Sequence, residues 1–138
     1  VSKAAFKLDS QLAAGTFFIG KLKLCRVFLM NDSRWPWLML VPEIPDIIEL
    51  TDLSAEDQAI LIREADFTAR LVQKQFSPDK MNIGSMGNIV PQFHLHIVAR
   101  HKNDAAWPEP VWGFAGRIPY EPEEVERLLS ILGKDLAS

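Results

Sequence analysis

Cysteine is almost missing from this chain. The single one, Cys25, has no partner for a disulfide within the chain and cannot build a Cys-rich zinc site, which fits a reducing compartment. A basic excess is also missing: 15 Lys and Arg face 18 Asp and Glu, and the net charge is −3. That balance lacks the footprint of a protein that grips long DNA or RNA, and leaves room only for a local pocket that accepts a small anion. No apolar run approaches the roughly 18–20 residues of a membrane helix. The opening Val-Ser-Lys-Ala-Ala-Phe-Lys-Leu-Asp has no long apolar stretch of a secretory leader. Internal repeats and low-complexity segments are absent. What is present, 138 residues with 48% apolar and 24% charged, predicts one soluble, cytoplasmic domain over residues 1–138.

The apolar pattern has period two in some places and three to four in others. Phe17, Phe18 and Ile19 predict a short strand, punctuated by Gly20 and Lys21. Residues 24–30 predict a second strand, Asn31-Asp32-Ser33-Arg34 a turn, and Trp37-Leu38-Met39-Leu40-Val41, closed by Pro42, a buried central strand. Ser54 is suited to cap a helix, with Glu56 and Asp57 in its first turn. Ile60, Leu61, Ala65, Thr68, Leu71, Val72 and Phe76 then form one apolar face of about six turns, stopped at Pro78. Residues 81–84 and 93–100 predict two more strands. A last helix opens at Glu121 with solvated acidic residues, runs through Val125, Leu128, Leu129 and Leu132, and ends at Gly133. Strands that do not alternate one-for-one with helices favour an antiparallel sheet in an α+β fold.

Histidine is scarce, and two of the three sit two residues apart in Gln92-Phe93-His94-Leu95-His96-Ile97-Val98-Ala99-Arg100. In a strand, residues two apart share a face, so Gln92, His94 and His96 would line one side while Phe93, Leu95 and Ile97 enter the core. Three readings fit that pattern. It is a polar sheet surface; or His-x-His is half of a metal site, although no His-Glu-x-x-His or similar spacing supplies further ligands; or one imidazole is a nucleophile toward phosphorus, backed by an acceptor that fixes its tautomer and by donors around the phosphoryl oxygens. The residues 84–88, rich in glycine, supply such donors.

The stretch Gly87-Asn88-Ile89-Val90-Pro91-Gln92-Phe93-His94-Leu95-His96-Ile97-Val98 resembles the signature of the histidine triad (HIT) family. The resemblance extends over about residues 17–101 and includes Leu29-Met30-Asn31-Asp32 and Leu38-Met39-Leu40-Val41-Pro42. It implies a HIT-like α+β fold: an antiparallel sheet of about five strands with one long helix and a C-terminal helix. It also implies a hydrolase or nucleotidyl transferase acting at the α-phosphorus of dinucleoside polyphosphates or nucleoside phosphoramidates. By position, His94 is the nucleophile, His96 contacts phosphate oxygen and aids departure, and Gln92 orients the nucleophile. Asn31 or Asp32 meets the ribose, Asn82 faces the nucleotide, and Asn88 contacts phosphate. Arg100 either contacts phosphate with its planar fork or is an ordinary surface arginine.

The sequence departs from the family pattern in three places. Gln92 replaces the leading histidine and keeps its backbone carbonyl. Pro36-Trp37 replaces a Gly-His pair, which removes one imidazole from the phosphate side. The loop of residues 84–91 is short. The chemistry implied needs no resident cofactor or metal, and magnesium would arrive with the nucleotide. The implied partners are a small nucleotide and a second copy of the chain in a homodimer, through an apolar edge in residues 30–41 and the tryptophan loops; neither a membrane nor long nucleic acid is implied. The alternatives are a nucleotide-binding regulatory module and a metal-binding protein. The loop of residues 107–113, with Trp107 and Trp112, either stacks on a purine or simply packs. His101 is expected to be solvated, and Cys25 to be a buried inert thiol.

Overall fold

The short-period segments become a five-stranded antiparallel sheet. β1 (Thr16–Lys21), β2 (Cys25–Met30), β3 (Trp37–Pro42), β4 (Lys80–Gly84) and β5 (Leu95–Arg100) lie in the order β1-β2-β3-β5-β4. The computed structural model describes residues 5–138; residues 1–4, part of the opening stretch without a leader's apolar run, lie outside the described residues. Every residue of β3 is buried, because both faces of the sheet are covered. Leu38 and Leu40 enter one core with the helices, while Trp37, Met39 and Val41 enter a second core on the opposite face. A strand covered on both sides reads as an unbroken apolar run.

Three helices, α1 (Ser10–Ala14), α2 (Ala55–Phe76) and α3 (Pro122–Ala137), complete the fold. Ser54 Oγ accepts the Asp57 N–H at the start of α2, and Ser77, in the left-handed region at φ 45°, ends the helix one residue before Pro78. The predicted apolar face of α2 is buried except for half-buried Phe76, and Ala69 and Glu64 join it. Glu64 lies on the same face, and its carboxylate accepts the N–H groups of Leu24 and Cys25, each at 2.9 Å. The helix thereby holds the entry to β2. Burial and the neighbouring Glu64 charge push the Cys25 thiol well above its ordinary pKa, consistent with an inert thiol.

Three boundaries differ from the sequence reading. α3 does not end at Gly133 but runs to Ala137, because Leu136 reaches into the space left by Gly20 of β1, where a Cβ would lie 2.8 Å from it. β5 begins at Leu95, so Gln92, Phe93 and His94 are the approach to the strand rather than part of it. Residues 30–41 form no edge: β2 and β3 are inner strands, and the free edges are β1 and β4.

The second face of the sheet is covered by the N-terminal Phe6, Leu8 and Leu12 and by Ala106, Val111 and Trp112 of the segment after β5. Arg100 fastens that segment. Its guanidinium, 1% exposed, bonds Asp104 at 2.8 and 3.1 Å and the Glu109 carbonyl at 2.7 Å. No helix among the described residues is long and apolar enough to cross a membrane.

Candidate active site

The end of the approach segment and the start of β5 bring two imidazoles together. His94 and His96 are both buried, with ring centroids 4.9 Å apart and planes at 81°. His94 Nδ1 lies 2.7 Å from the backbone carbonyl of Gln92. A carbonyl only accepts, so Nδ1 carries the hydrogen and donates, and the lone pair is on Nε2. His96 has the opposite assignment of its Nδ1. The indole Nε1–H of Trp37 donates to it across 2.9 Å, so the His96 hydrogen sits on Nε2. One ring thus offers a nucleophilic nitrogen and the other a hydrogen-bond donor. Burial, and then the neighbouring His94, hold the His96 pKa down to about 3, so the ring is neutral near pH 7.

Both rings line a cavity of about 440 Å³, together with Met86, Asn88, Trp112, Phe114 and Arg117. The loop that closes one side turns at Gly87, whose φ of 70° favours glycine. Trp112 presents its edge to His96 at a centroid distance of 5.6 Å. Asp32 also lines the cavity, with its carboxylate held by Arg34: Nε at 2.9 Å and Nη2 at 2.8 Å. Burial works to raise the Asp32 pKa, but the hydrogen bonds and charge of Arg34 overcome it and hold it low. The same guanidinium bonds the carbonyls of Ala115 and Gly116 and lies over the Trp35 and Phe114 rings, which fixes the outer wall.

Of the residues selected from sequence, His94, His96, Asn88 and Asp32 meet at this cavity. Gln92 reaches His94 through its backbone carbonyl, while its side chain and four other residues lie elsewhere than the sequence placed them. The Gln92 side chain turns away from the imidazoles: its Oε1 accepts the Asp9 N–H at 2.8 Å and its Nε2 donates to the Lys7 carbonyl at 2.9 Å, in a separate groove. The alternation that placed it beside His94 fails because the pleat begins only at Leu95. Asn31 accepts the Tyr120 N–H through Oδ1 and does not line the cavity. Asn82 Oδ1 accepts from Arg100 Nη1 at 2.9 Å, and Arg100 is consumed by Asn82, Asp104 and Glu109, away from the cavity lining. His101 is half-buried, with Nε2 3.0 Å from the Phe76 carbonyl. Sequence reading missed Trp37 as a partner of His96, and Arg34 as the partner of Asp32. Trp37 lies 59 residues from His96 and meets it only through the register of β3 against β5, whereas Arg34 pairs with Asp32 two residues away within one turn. Among the described residues, no three His, Cys, Asp or Glu side chains converge to hold a metal ion.

Fold and site define an α+β protein whose sheet carries a pair of differently protonated imidazoles at the wall of a cavity. The family model for the HIT domain matches residues 11–103. The chain belongs to the histidine triad family. It is 41% identical to a histidine triad protein from Bradyrhizobium japonicum, with a TM-score of 0.92 over 96% of this chain and 98% of that one. It is 40% identical to a histidine triad protein from Marinobacter aquaeolei, with a TM-score of 0.94 over 97% and 98%. The Plasmodium falciparum diadenosine triphosphate hydrolase shares the fold, at 17% identity and a TM-score of 0.65 over 99% of this chain and 87% of that one. No curated protein matches the chain.

Proposed function

We propose that the protein is a nucleotide-binding hydrolase or nucleotidyl transferase that acts at an α-phosphorus through a nucleotidyl-histidine intermediate. The observation that carries this is the division of labour between the two rings: His94 has its hydrogen committed to the Gln92 carbonyl and its lone pair on Nε2, and His96 carries its hydrogen on Nε2. In the first step His94 Nε2 bonds to phosphorus, and the leaving group departs with the electron pair of the broken bond. The resulting N-phosphorylated ring is cationic, and the Gln92 carbonyl keeps its Nδ1 hydrogen in place. In the second step, water or another acceptor bonds to phosphorus and the pair returns to His94.

His96 Nε2–H and the Asn88 amide supply hydrogen bonds to the phosphoryl oxygens, and Arg117 supplies positive charge to the same cavity. Phe114 and Trp112 give apolar surface for a base, and the Asp32–Arg34 pair borders the place of a ribose. Nothing in this sequence of steps calls for a resident metal; magnesium would accompany a polyphosphate substrate. The fold shared with a diadenosine triphosphate hydrolase supports dinucleoside polyphosphates as substrates to try first. The protein is taken to work in the cytoplasm as a homodimer, built through a free sheet edge: Phe18 on β1 is 56% exposed and Ile83 on β4 is 48% exposed. Sedimentation of wild type and Ile83→Lys checks the dimer.

A panel of dinucleoside polyphosphates and nucleoside phosphoramidates, assayed with wild type and His94→Ala, tests the reaction. Turnover that disappears in His94→Ala while nucleotide binding persists is the expected result. Binding without turnover in the wild type would leave a binding module and refute the enzyme.

A further inference from the structure

Trp37 stands one diagonal step from His96. Trp37 of β3 pairs with Val98 and Met39 pairs with His96, so the indole and the imidazole share a sheet face as diagonal neighbours. That offset is within reach of a long aromatic side chain, and Trp37 Nε1 meets His96 Nδ1 at 2.9 Å with both residues buried. We infer, building on the hydrolase reading above, that Trp37 is a positioning and specificity-determining residue: its indole N–H holds His96 in the Nε2–H form, a single hydrogen-bond donor with no proton to deliver, and so restricts turnover to leaving groups that depart as anions.

An imidazolium needs hydrogens on both nitrogens. At His96 a hydrogen on Nδ1 would point at the indole N–H, leaving two donors face to face in a buried place. Loss of the Nε2 hydrogen alone would create an imidazolate, which neutral water does not support. The ring therefore gives a hydrogen bond but performs no general-acid step. Its surroundings offer no remedy: Trp37 and Met39 face it from β3, Gly84 from β4, Trp112 from the loop, and His94 is the titratable neighbour. Asp32, Arg34 and Arg117 are the charged side chains lining the same cavity, and Asp32 is held ionised by Arg34. The low pKa of His96 agrees with this geometry.

The chemical consequence concerns the bond that breaks. When His94 Nε2 forms the P–N bond, the electron pair of the P–O or P–N bond to the leaving group goes with that group. The bridging oxygen of a phosphoanhydride or an aryl ester accepts the pair as a stable anion and needs no proton. An alkylamine or alkoxide must be protonated as it leaves, and His96 has no proton to give. Water then attacks phosphorus, its proton passes to bulk solvent, and the pair returns to His94.

Two readouts test this. Nitrogen-15 NMR of the whole protein should show His96 as neutral Nε2–H from pH 5 to 8. In Trp37→Phe the tautomer should become mixed and the pKa should rise, while burial and the neighbouring His94 keep it below the ordinary value of about 6.5. Steady-state assays should use diadenosine triphosphate, the p-nitrophenyl ester of adenosine 5′-monophosphate and its N-propylamide. The propylamide should be slower in kcat by at least about 100-fold, the lower range of what a general acid contributes, and Trp37→Phe should narrow that gap below pH 7. Wild-type spectra decide the tautomer even if the variant does not fold. Comparable turnover of the propylamide, or an imidazolium His96 at pH 6, overturns the inference. Failure to turn over all three nucleotides, with the Nε2–H form intact, overturns instead the hydrolase reading beneath it.

Discussion

Replacing Gln92 by alanine should leave the chemistry almost untouched, although Gln92 stands where the family pattern has its leading histidine. The His94 ring is held by the Gln92 backbone carbonyl, at 2.7 Å from Nδ1, and any side chain at this position keeps that carbonyl. The Gln92 side chain instead makes two hydrogen bonds to the N-terminal segment, to Asp9 at 2.8 Å and to Lys7 at 2.9 Å. Each is worth roughly 0.5–1.5 kcal/mol, and the lower half applies to bonds that are partly exposed, so the substitution costs about 1–2 kcal/mol in total. For a domain of this length that is a fall in Tm of roughly 3–7 °C. The expected outcome is kcat within about threefold of wild type, alongside that drop in Tm by differential scanning calorimetry. A fall in kcat of about 100-fold or more in a variant that still melts cooperatively would refute the reasoning, because it would make the side chain, not the carbonyl, the support of the nucleophile.

Further outcomes follow from the same contacts. Glu64→Ala should destabilise by about 3–5 kcal/mol in urea unfolding, since it strands two buried N–H groups, Leu24 and Cys25, at roughly 1–3 kcal/mol each; Glu64→Gln, which keeps one acceptor and turns an amide N–H2 toward the other N–H, should still lose about half of that. Folding stability should decline as pH falls from 6.5 toward 3, because His96 binds a proton near 6.5 when unfolded but only near about 3 when folded, with a slope of up to ~1.4 kcal/mol per pH unit; a flat profile in urea titrations across that window would contradict the buried neutral ring. Asp104 adds to the loss at still lower pH: burial acts to raise its pKa, but Arg100 and the N–H groups of His101 and Ala106 overcome this and hold it far below the ordinary range, so the stability it contributes is present above about pH 4 and disappears in stronger acid. Arg100→Met should loosen residues 101–113 and reduce Tm, and its effect on catalysis should follow from misplacement of Trp112 rather than from a lost phosphate contact; hydrogen exchange of that segment is the check.

The sheet and long helix were legible because their apolar periods are local signals. The run Trp37-Leu38-Met39-Leu40-Val41 announced a doubly covered strand, and Ser54 with Ile60 to Val72 spacing announced α2. Glu64 was hidden because a charged residue at a core-facing position is read as an exception until its two N–H partners, 39 and 40 residues away, are known. The pair His94 and His96 was legible from composition and spacing. The fate of Gln92 was not, since it depends on whether the pleat starts at Phe93 or Leu95. Arg100 and Asn82 looked like ligand contacts for the same reason that they make a good internal clamp: both offer planar polar groups, and only the fold tells that they spend them on Asp104, Glu109 and each other. Trp37 looked like a loss of function by sequence, and the register of β3 against β5 turns it into a partner of His96.

The most direct test of the central claim is to quench the protein with radiolabelled diadenosine triphosphate during turnover and map the labelled peptide by mass spectrometry. An acid-labile nucleotidyl group on His94, absent from His94→Ala, is the expected result. A label on His96 or His101, or turnover with no labelled histidine while His94→Ala remains active, would contradict the account.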